Sequence, residues 1–244
     1  MASTSETGHA KNIANLQDLI SFCKGYADQY NPVKESLKID SLETLYQDAL
    51  QKLTETQNKK TLFDNATDDR INAFKDLNPL ATKIINSLAV SGVSKLTVDN
   101  AKGFNKKLQG KSAKSTEIQT IAKDGEPTPK TISTSQQSYD SKIAHFSNML
   151  QVLTESQEYN PNEEELKTTA LQNKLTDLQA KNTALINAYT DYSNAKIKRD
   201  QKLYDPLIGL VQTAQEVKLY VKSVFGATSP QYKQVSGLQF TRAK

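Results

Sequence analysis

The tripeptide Tyr30-Asn31-Pro32 returns as Tyr159-Asn160-Pro161, 129 residues further on. No other feature limits the fold of this chain so sharply, because its surroundings return too. Upstream, Leu16, Leu19, Ile20 and Cys23 correspond to Phe146, Met149, Leu150 and Leu153 after a one-residue gap. Both sets stand at i, i+3, i+4, i+7, the apolar stripe of an amphipathic helix. Downstream, Leu37 and Leu42 correspond to Leu166 and Leu171 at the same offset. Each copy then runs through a long polar and apolar stretch to a second triplet, Asn78-Pro79-Leu80 or Asp205-Pro206-Leu207. A sequence written twice in this order must fold into two similar sets of elements.

Each copy reads as helix, proline break, long helix, proline break, helix. Proline is tolerated at the first helical position, whose N–H has no intrahelical partner. Asn31, Asn78, Asn160 and Asp205 precede the prolines and are expected as N-caps. In the second long helix Leu171, Leu178, Leu185 and Tyr192 lie seven apart. Leu175, Tyr189 and Leu203 stand in the companion column, which Asn182 and Lys196 interrupt. Such a column pair is a coiled-coil-like seam suited to a bundle. Long helices of ~35–40 residues would measure ~50–60 Å at 1.5 Å per residue. The last helix is expected to bury Leu207, Leu210, Val211, Ala214, Val217, Val221, Val224 and Phe225, and Gly226 to stop it.

The fold class is therefore all-α: an internally duplicated helical bundle with long coiled-coil-like helices. Residues 1–110 form the first repeat, 111–135 a linker or excursion, and 136–244 the second repeat with a C-terminal clasp. The linker is rich in Ser, Thr and Lys, and Pro127 and Pro129 favour extended backbone there. Only nine glycines and seven prolines in 244 residues argue against a many-turned β-sandwich. No apolar run reaches the ~20 residues of a membrane span. The first eleven residues lack a secretory apolar core, and Cys23 alone cannot build an internal disulfide framework. These features point to a cytoplasmic protein.

Motifs of catalysis are missing from the sequence. No glycine pattern cradles a phosphate and no HExxH holds a metal. No catalytic or metal-binding residue is assigned, and no cofactor is expected. Cys23 sits on the first apolar stripe and reads as a small buried hydrophobe. His145 reads as an ordinary helix-surface histidine, and His9 belongs to the polar amino end. Glu163, Glu164 and Glu165 follow Pro161 and suit the first turn of a helix, where its dipole favours negative charge. Asp68-Asp69 marks either a break in the first long helix or a solvated face.

Lys95, Lys102, Lys106, Lys107, Lys111 and Lys114 gather within twenty residues that hold one acid, Asp99. They are the candidate contacts for an anionic partner, nucleic acid included, although a lone aromatic, Phe104, leaves base stacking poorly served. Ten tyrosines and no tryptophan mark the other bias. Tyr joins an apolar ring to a wet hydroxyl, so bundle rims and interfaces both use it. Tyr30, Tyr159, Phe225 and Tyr232 are the candidate interface residues. A membrane-active bundle would need an apolar hairpin, and the one available stretch, Leu80 to Val98, is interrupted by Lys83, Asn86 and Lys95.

The carboxyl-end run Val224-Phe225-Gly226-Ala227-Thr228-Ser229-Pro230-Gln231-Tyr232-Lys233-Gln234-Val235-Ser236-Gly237 resembles the tail of a group of uncharacterised bacterial all-helical proteins. Phe104 to Lys111, Thr131 to Asp140 and Thr7 to Asn12 are similar to further stretches of that group. The resemblance implies a helical fold and a bacterial origin, and no activity or site. Mechanically, Gly226 lets the chain turn and Ser229-Pro230 suits a cap with Pro at the first helical position. The expected function is that of a non-catalytic structural or interaction protein, self-assembling through helix faces, with a protein partner or a second copy as its target. A nucleic-acid-associated protein using Lys95 to Lys114 is the alternative.

Overall fold

The computed structural model describes residues 4–110 and 137–242. The expected linker 111–135, and with it Lys111 and Lys114, lies outside the described residues. Among the described residues there are eight α-helices, three short 3-10 segments and no strand. The helices are α1 (Thr4–Gly25), α2 (Ile39–Phe74), α3 (Leu77–Val90), α4 (Lys95–Leu108), α5 (Tyr139–Glu155), α6 (Thr168–Tyr204), α7 (Leu210–Phe225) and α8 (Pro230–Ser236). The protein is all-α, and α2 and α6, of 36 and 37 residues, are the long helices that the sequence announces.

Two compact units divide the chain within those long helices, not at residues 111–135. One comprises residues 1–64 and 188–244, the other 65–187. The partition therefore differs from the ranges 1–110 and 136–244, since each unit takes helices from both.

The first unit packs α1, the first part of α2, the end of α6, α7 and α8 around one core. Leu16, Leu19, Leu42, Leu203, Val217 and Val235 are fully buried there. Asp48 pairs with Lys202, Thr56 bonds to Ala195 and Lys59 pairs with Asp191, so α2 and α6 run antiparallel. The second unit encloses Leu77, Ile84, Leu88, Leu108, Phe146, Met149 and Leu178. Its part of α2 is again antiparallel to α6, with Asp69 against Lys181 and Ala73 against Lys174. All eight residues of the two stripes, Leu16 to Cys23 and Phe146 to Leu153, are buried.

The proline breaks work differently from the expected caps. After Pro32 and after Pro161 the chain does not enter a helix. It makes a 3-10 turn, Glu35–Leu37 or Glu164–Leu166, and the long helix starts two residues later. Asn31 and Asn160 are therefore not N-caps. A tertiary bond overrides the local preference: the hydroxyl of Tyr30 donates to the Leu37 carbonyl at 2.6 Å, and Tyr159 to Leu166 at 2.9 Å. Glu163 to Glu165 consequently precede α6 instead of forming its first turn. Asn78 lies inside α3, which starts one residue earlier at the buried Leu77, so Asn78 is not the N-cap. Pro79 still falls in the first turn, where N–H groups lack partners.

Asp205 caps a turn, its carboxylate accepting from the N–H groups of Leu207 and Ile208 at 2.8 and 3.0 Å. Those two bonds hold its carboxyl below the usual carboxylate range. The helix α7 begins only after Gly209, where a Cβ would stand 2.5 Å from the Asp205 nitrogen. Leu207, expected in the core, is accordingly 78% exposed. Gly226 ends α7 with φ of 88°, as glycine permits. Ser229 then caps α8 by accepting from the Tyr232 N–H at 3.1 Å, with Pro230 in its first turn. Asp68 and Asp69 lie on an exposed face of an unbroken α2.

Candidate functional site

The lysine group rides on α4. Its inner face carries Val98, Ala101 and Leu108, all buried, which turns the opposite face outward. Ser94 starts the helix by accepting from the Thr97 N–H at 3.2 Å. Lys95, Lys102 and Lys106 are exposed and fall at i, i+7 and i+11, one stripe of the helix. Asp99 occupies the same stripe and bridges Lys102 at 3.5 Å. Lys107 leaves the stripe by about a third of a turn and lies near His145, whose charged form it disfavours. The structure thus aligns three of the six expected lysines and sets a carboxylate among them.

The four expected interface aromatics face inward. Tyr30 and Tyr159 are 7% and 6% exposed, so neither presents a surface to a partner. Tyr30 meets Tyr220 edge to face at 5.3 Å between ring centres. Burial raises the pKa of both tyrosines. Phe225 and Tyr232 are partly buried against the first core, and Phe225 stacks at a tilt on Tyr26, 5.1 Å away. Tyr26 in turn donates to the Gln231 carbonyl at 2.9 Å, which ties α8 to α1.

The tail beyond α8 is bound by the same unit. Asn12 donates to the Thr241 carbonyl at 2.8 Å and accepts from the Thr241 N–H at 3.0 Å. Asn15 donates to Gln239 at 2.6 Å. Lys218 donates to the carbonyls of Ser236 and Leu238, both at 2.9 Å.

Cys23 is buried, and burial pushes its thiol up to about 12. That fits the expected role as a small core residue and leaves no reactive thiolate near neutral pH. Both histidines are more interior than the sequence suggested. His9 is 3% exposed, with Nδ1 2.6 Å from the Tyr204 hydroxyl. His145 is 9% exposed and its Nε2 has no hydrogen-bond partner, so it is not a surface residue. Burial, with Lys107 nearby, lowers its pKa. Phe146 and Met149 beside it are fully buried, and the stripe is one residue wider than its apolar members indicate.

Sequence reasoning missed two arginines. Arg70 and Arg199 stand 129 residues apart, the same offset as the two Tyr-Asn-Pro triplets. Arg70 lies 3.9 Å over the Tyr139 ring and donates to Asn182 Oδ1 at 3.2 Å, while Asn182 donates to Asp140 at 2.8 Å. Arg199 is 3% exposed and bridges Asp200 at 2.9 Å. The signal was present, because Arg199 continues the seven-residue column of Leu171, Leu178, Leu185 and Tyr192.

In the second unit a groove of about 520 Å³ lies between the start of α3 and the start of α6. Pro79, Leu80 and Ala170 supply apolar lining, and Lys83 bridges Glu165 at 2.8 Å beside it. Among the described residues no group of three or more His, Cys, Asp or Glu side chains is placed to hold a metal ion. No described helix is long and apolar enough to cross a membrane. Ala81, Ile84, Ile85 and Leu88, from the stretch weighed as an inserting hairpin, are buried in the second core.

Comparison with protein-family models, with curated proteins and with solved structures finds no match.

Proposed function

We propose that this chain is an internally duplicated helical bundle acting as a non-catalytic structural or interaction protein, which associates with further copies of itself through exposed helix faces. The duplication is supported by paired geometry at one offset: Tyr30 on Leu37 with Tyr159 on Leu166, and Arg70 with Arg199. The column Leu171, Leu178 and Leu185, all buried, supports a coiled-coil-like α6.

One observation carries the association. The Asn31 N–H donates to the Tyr220 hydroxyl at 3.2 Å, and Lys34 bridges Glu216 at 2.6 Å. These bonds hold the segment between them against α7, where Val33 is 98% and Leu219 64% exposed. Ile208, 75% exposed, adds another apolar side chain in the turn just before that helix. Apolar side chains kept in water in this way suit contact with another protein surface.

Size exclusion with light scattering, read at 260 and 280 nm together, tests the reading. A mass that is a multiple of 27.1 kDa with a protein-like absorbance ratio is expected. A strictly monomeric mass at high concentration overturns it. A high 260 nm signal assigns the partner role to Lys95, Lys102 and Lys106 instead.

A further inference from the structure

The two described halves of the chain, 4–110 and 137–242, never complete a core alone. In the first unit α1 and the early part of α2 come from one half, and the end of α6, α7 and α8 from the other. In the second unit α3, α4 and the late part of α2 meet α5 and the early part of α6. The pairing is polar as well as apolar. Asp48–Lys202, Lys59–Asp191 and Lys34–Glu216 join the halves in the first unit, and Asp69–Lys181 and Lys83–Glu165 in the second. No described helix passes from one half into the other.

We infer that residues 4–110 form a binding surface whose partner is the 137–242 half, and that the half from a second copy fits it as well as the chain's own. Two chains then exchange halves into an intertwined dimer that keeps every helix and every ion pair named above. The exchange goes beyond the association proposed above: it uses the buried faces between the halves, not the exposed Val33 and Leu219. Gln137 donates to the Lys107 carbonyl at 2.7 Å, so the halves leave their joint at one place. At ~3.3–3.6 Å per residue an extended stretch as long as 111–136 reaches roughly 90 Å, ample for two chains to cross. Covalent connection gives a chain's own half an effective concentration of order mM, so exchange competes only when chains fold near that concentration.

The test refolds equal amounts of isotope-labelled and unlabelled full-length chain together, at about 1 mM and about 1 µM. The dimer fraction is treated with a carbodiimide, which joins an ion-paired lysine directly to its carboxylate, and the linked peptides are weighed. The expected result is a species of twice 27.1 kDa from the concentrated sample alone. In it Lys59–Asp191, Lys202–Asp48 and Lys181–Asp69 links join labelled to unlabelled chains as often as like to like. A dimer whose links at these pairs join like to like only overturns the exchange while self-association stands. Monomer at both concentrations overturns both.

Discussion

The hydroxyl of Tyr30 reaches seven residues along the chain to the carbonyl of Leu37, and Tyr159 makes the same bond to Leu166. Each bond closes the loop that follows an Asn-Pro pair and fixes where a long helix begins. Both bonds are buried, so losing the hydroxyl strands a carbonyl out of reach of water. Tyr30→Phe and Tyr159→Phe are each expected to cost about 1–3 kcal/mol of unfolding free energy. The two lie in different units, so their effects should add to within a few tenths of a kcal/mol. Urea denaturation of the two single variants and the double variant checks this. A loss far below the sum in the double variant would show that the two loops do not act independently.

Cys23 offers a chemical readout of the same core. Its thiol is buried beside Tyr30 and is pushed up to about 12. A thiol-specific reagent at pH 8 should therefore leave it untouched in the native protein and modify it once denaturant unfolds the chain. In Tyr30→Phe the labelling rate should rise, because the loop beside the thiol opens more often. Equal rates in native and unfolded protein would place the thiol at the surface.

Much of this fold could be read from spacing. The stripes at Leu16 and Phe146 and the column from Leu171 to Leu185 gave helices and core, because burial follows period. The breaks were legible only as breaks. Asn31 and Asn160 carry the side chain of a cap, but a tyrosine bond formed across seven residues decides the local geometry, and tertiary bonds leave no local signature. The lysines of α4 were visible as a cluster, whereas their division into a stripe and an outlying Lys107 depends on the helix that carries them. The inward turn of Tyr30, Tyr159 and His145 follows from packing between segments far apart in sequence, to which residue type alone is blind.

His145 should make stability depend on pH. Its ring lies on α5 and faces Lys107 of α4, and burial lowers its pKa from the ordinary 6.5. The unfolded chain therefore binds a proton at higher pH than the folded one. The stabilising contribution is complete above pH ~6.5 and is lost as pH falls through the folded value. The urea midpoint of the wild type should drop between pH 7.5 and pH 5, and His145→Leu should lose that part of the drop. Leucine also removes a ring nitrogen without a partner, so the variant should match or exceed the wild type at neutral pH. Identical pH profiles for both proteins would count against a buried neutral ring.

Asn12 tests the clasp at the other end of the chain. Its amide makes two bonds to the backbone of Thr241 and is 1% exposed. Asn12→Ala should cost about 1–2 kcal/mol locally. Lys218 still holds Ser236 and Leu238, so the loosening should be confined to residues beyond Leu238. Hydrogen exchange reads this directly: faster exchange at the Thr241 amide and unchanged exchange in α7. Equal loss of protection through α7 and α8 would mean that the tail closes the whole unit instead of its own end.

Val33 and Leu219 separate association from folding. Both are largely exposed, at 98% and 64%, on a segment and a helix joined by the Asn31–Tyr220 and Lys34–Glu216 bonds. Neither side chain contributes much to the core, so Val33→Asp and Leu219→Asp should leave the thermal midpoint nearly unchanged; surface changes usually fall within ~0.5 kcal/mol. A carboxylate carried into an apolar contact would have to shed its water without a partner, which opposes association strongly. Folded dilute, so that halves do not exchange, and then concentrated, the double variant should therefore remain monomeric where the wild type treated alike assembles, with the same helix content by circular dichroism. If it assembles as the wild type does, the contact lies elsewhere on the molecule. If it unfolds, the two side chains belong to the core of the first unit rather than to its surface.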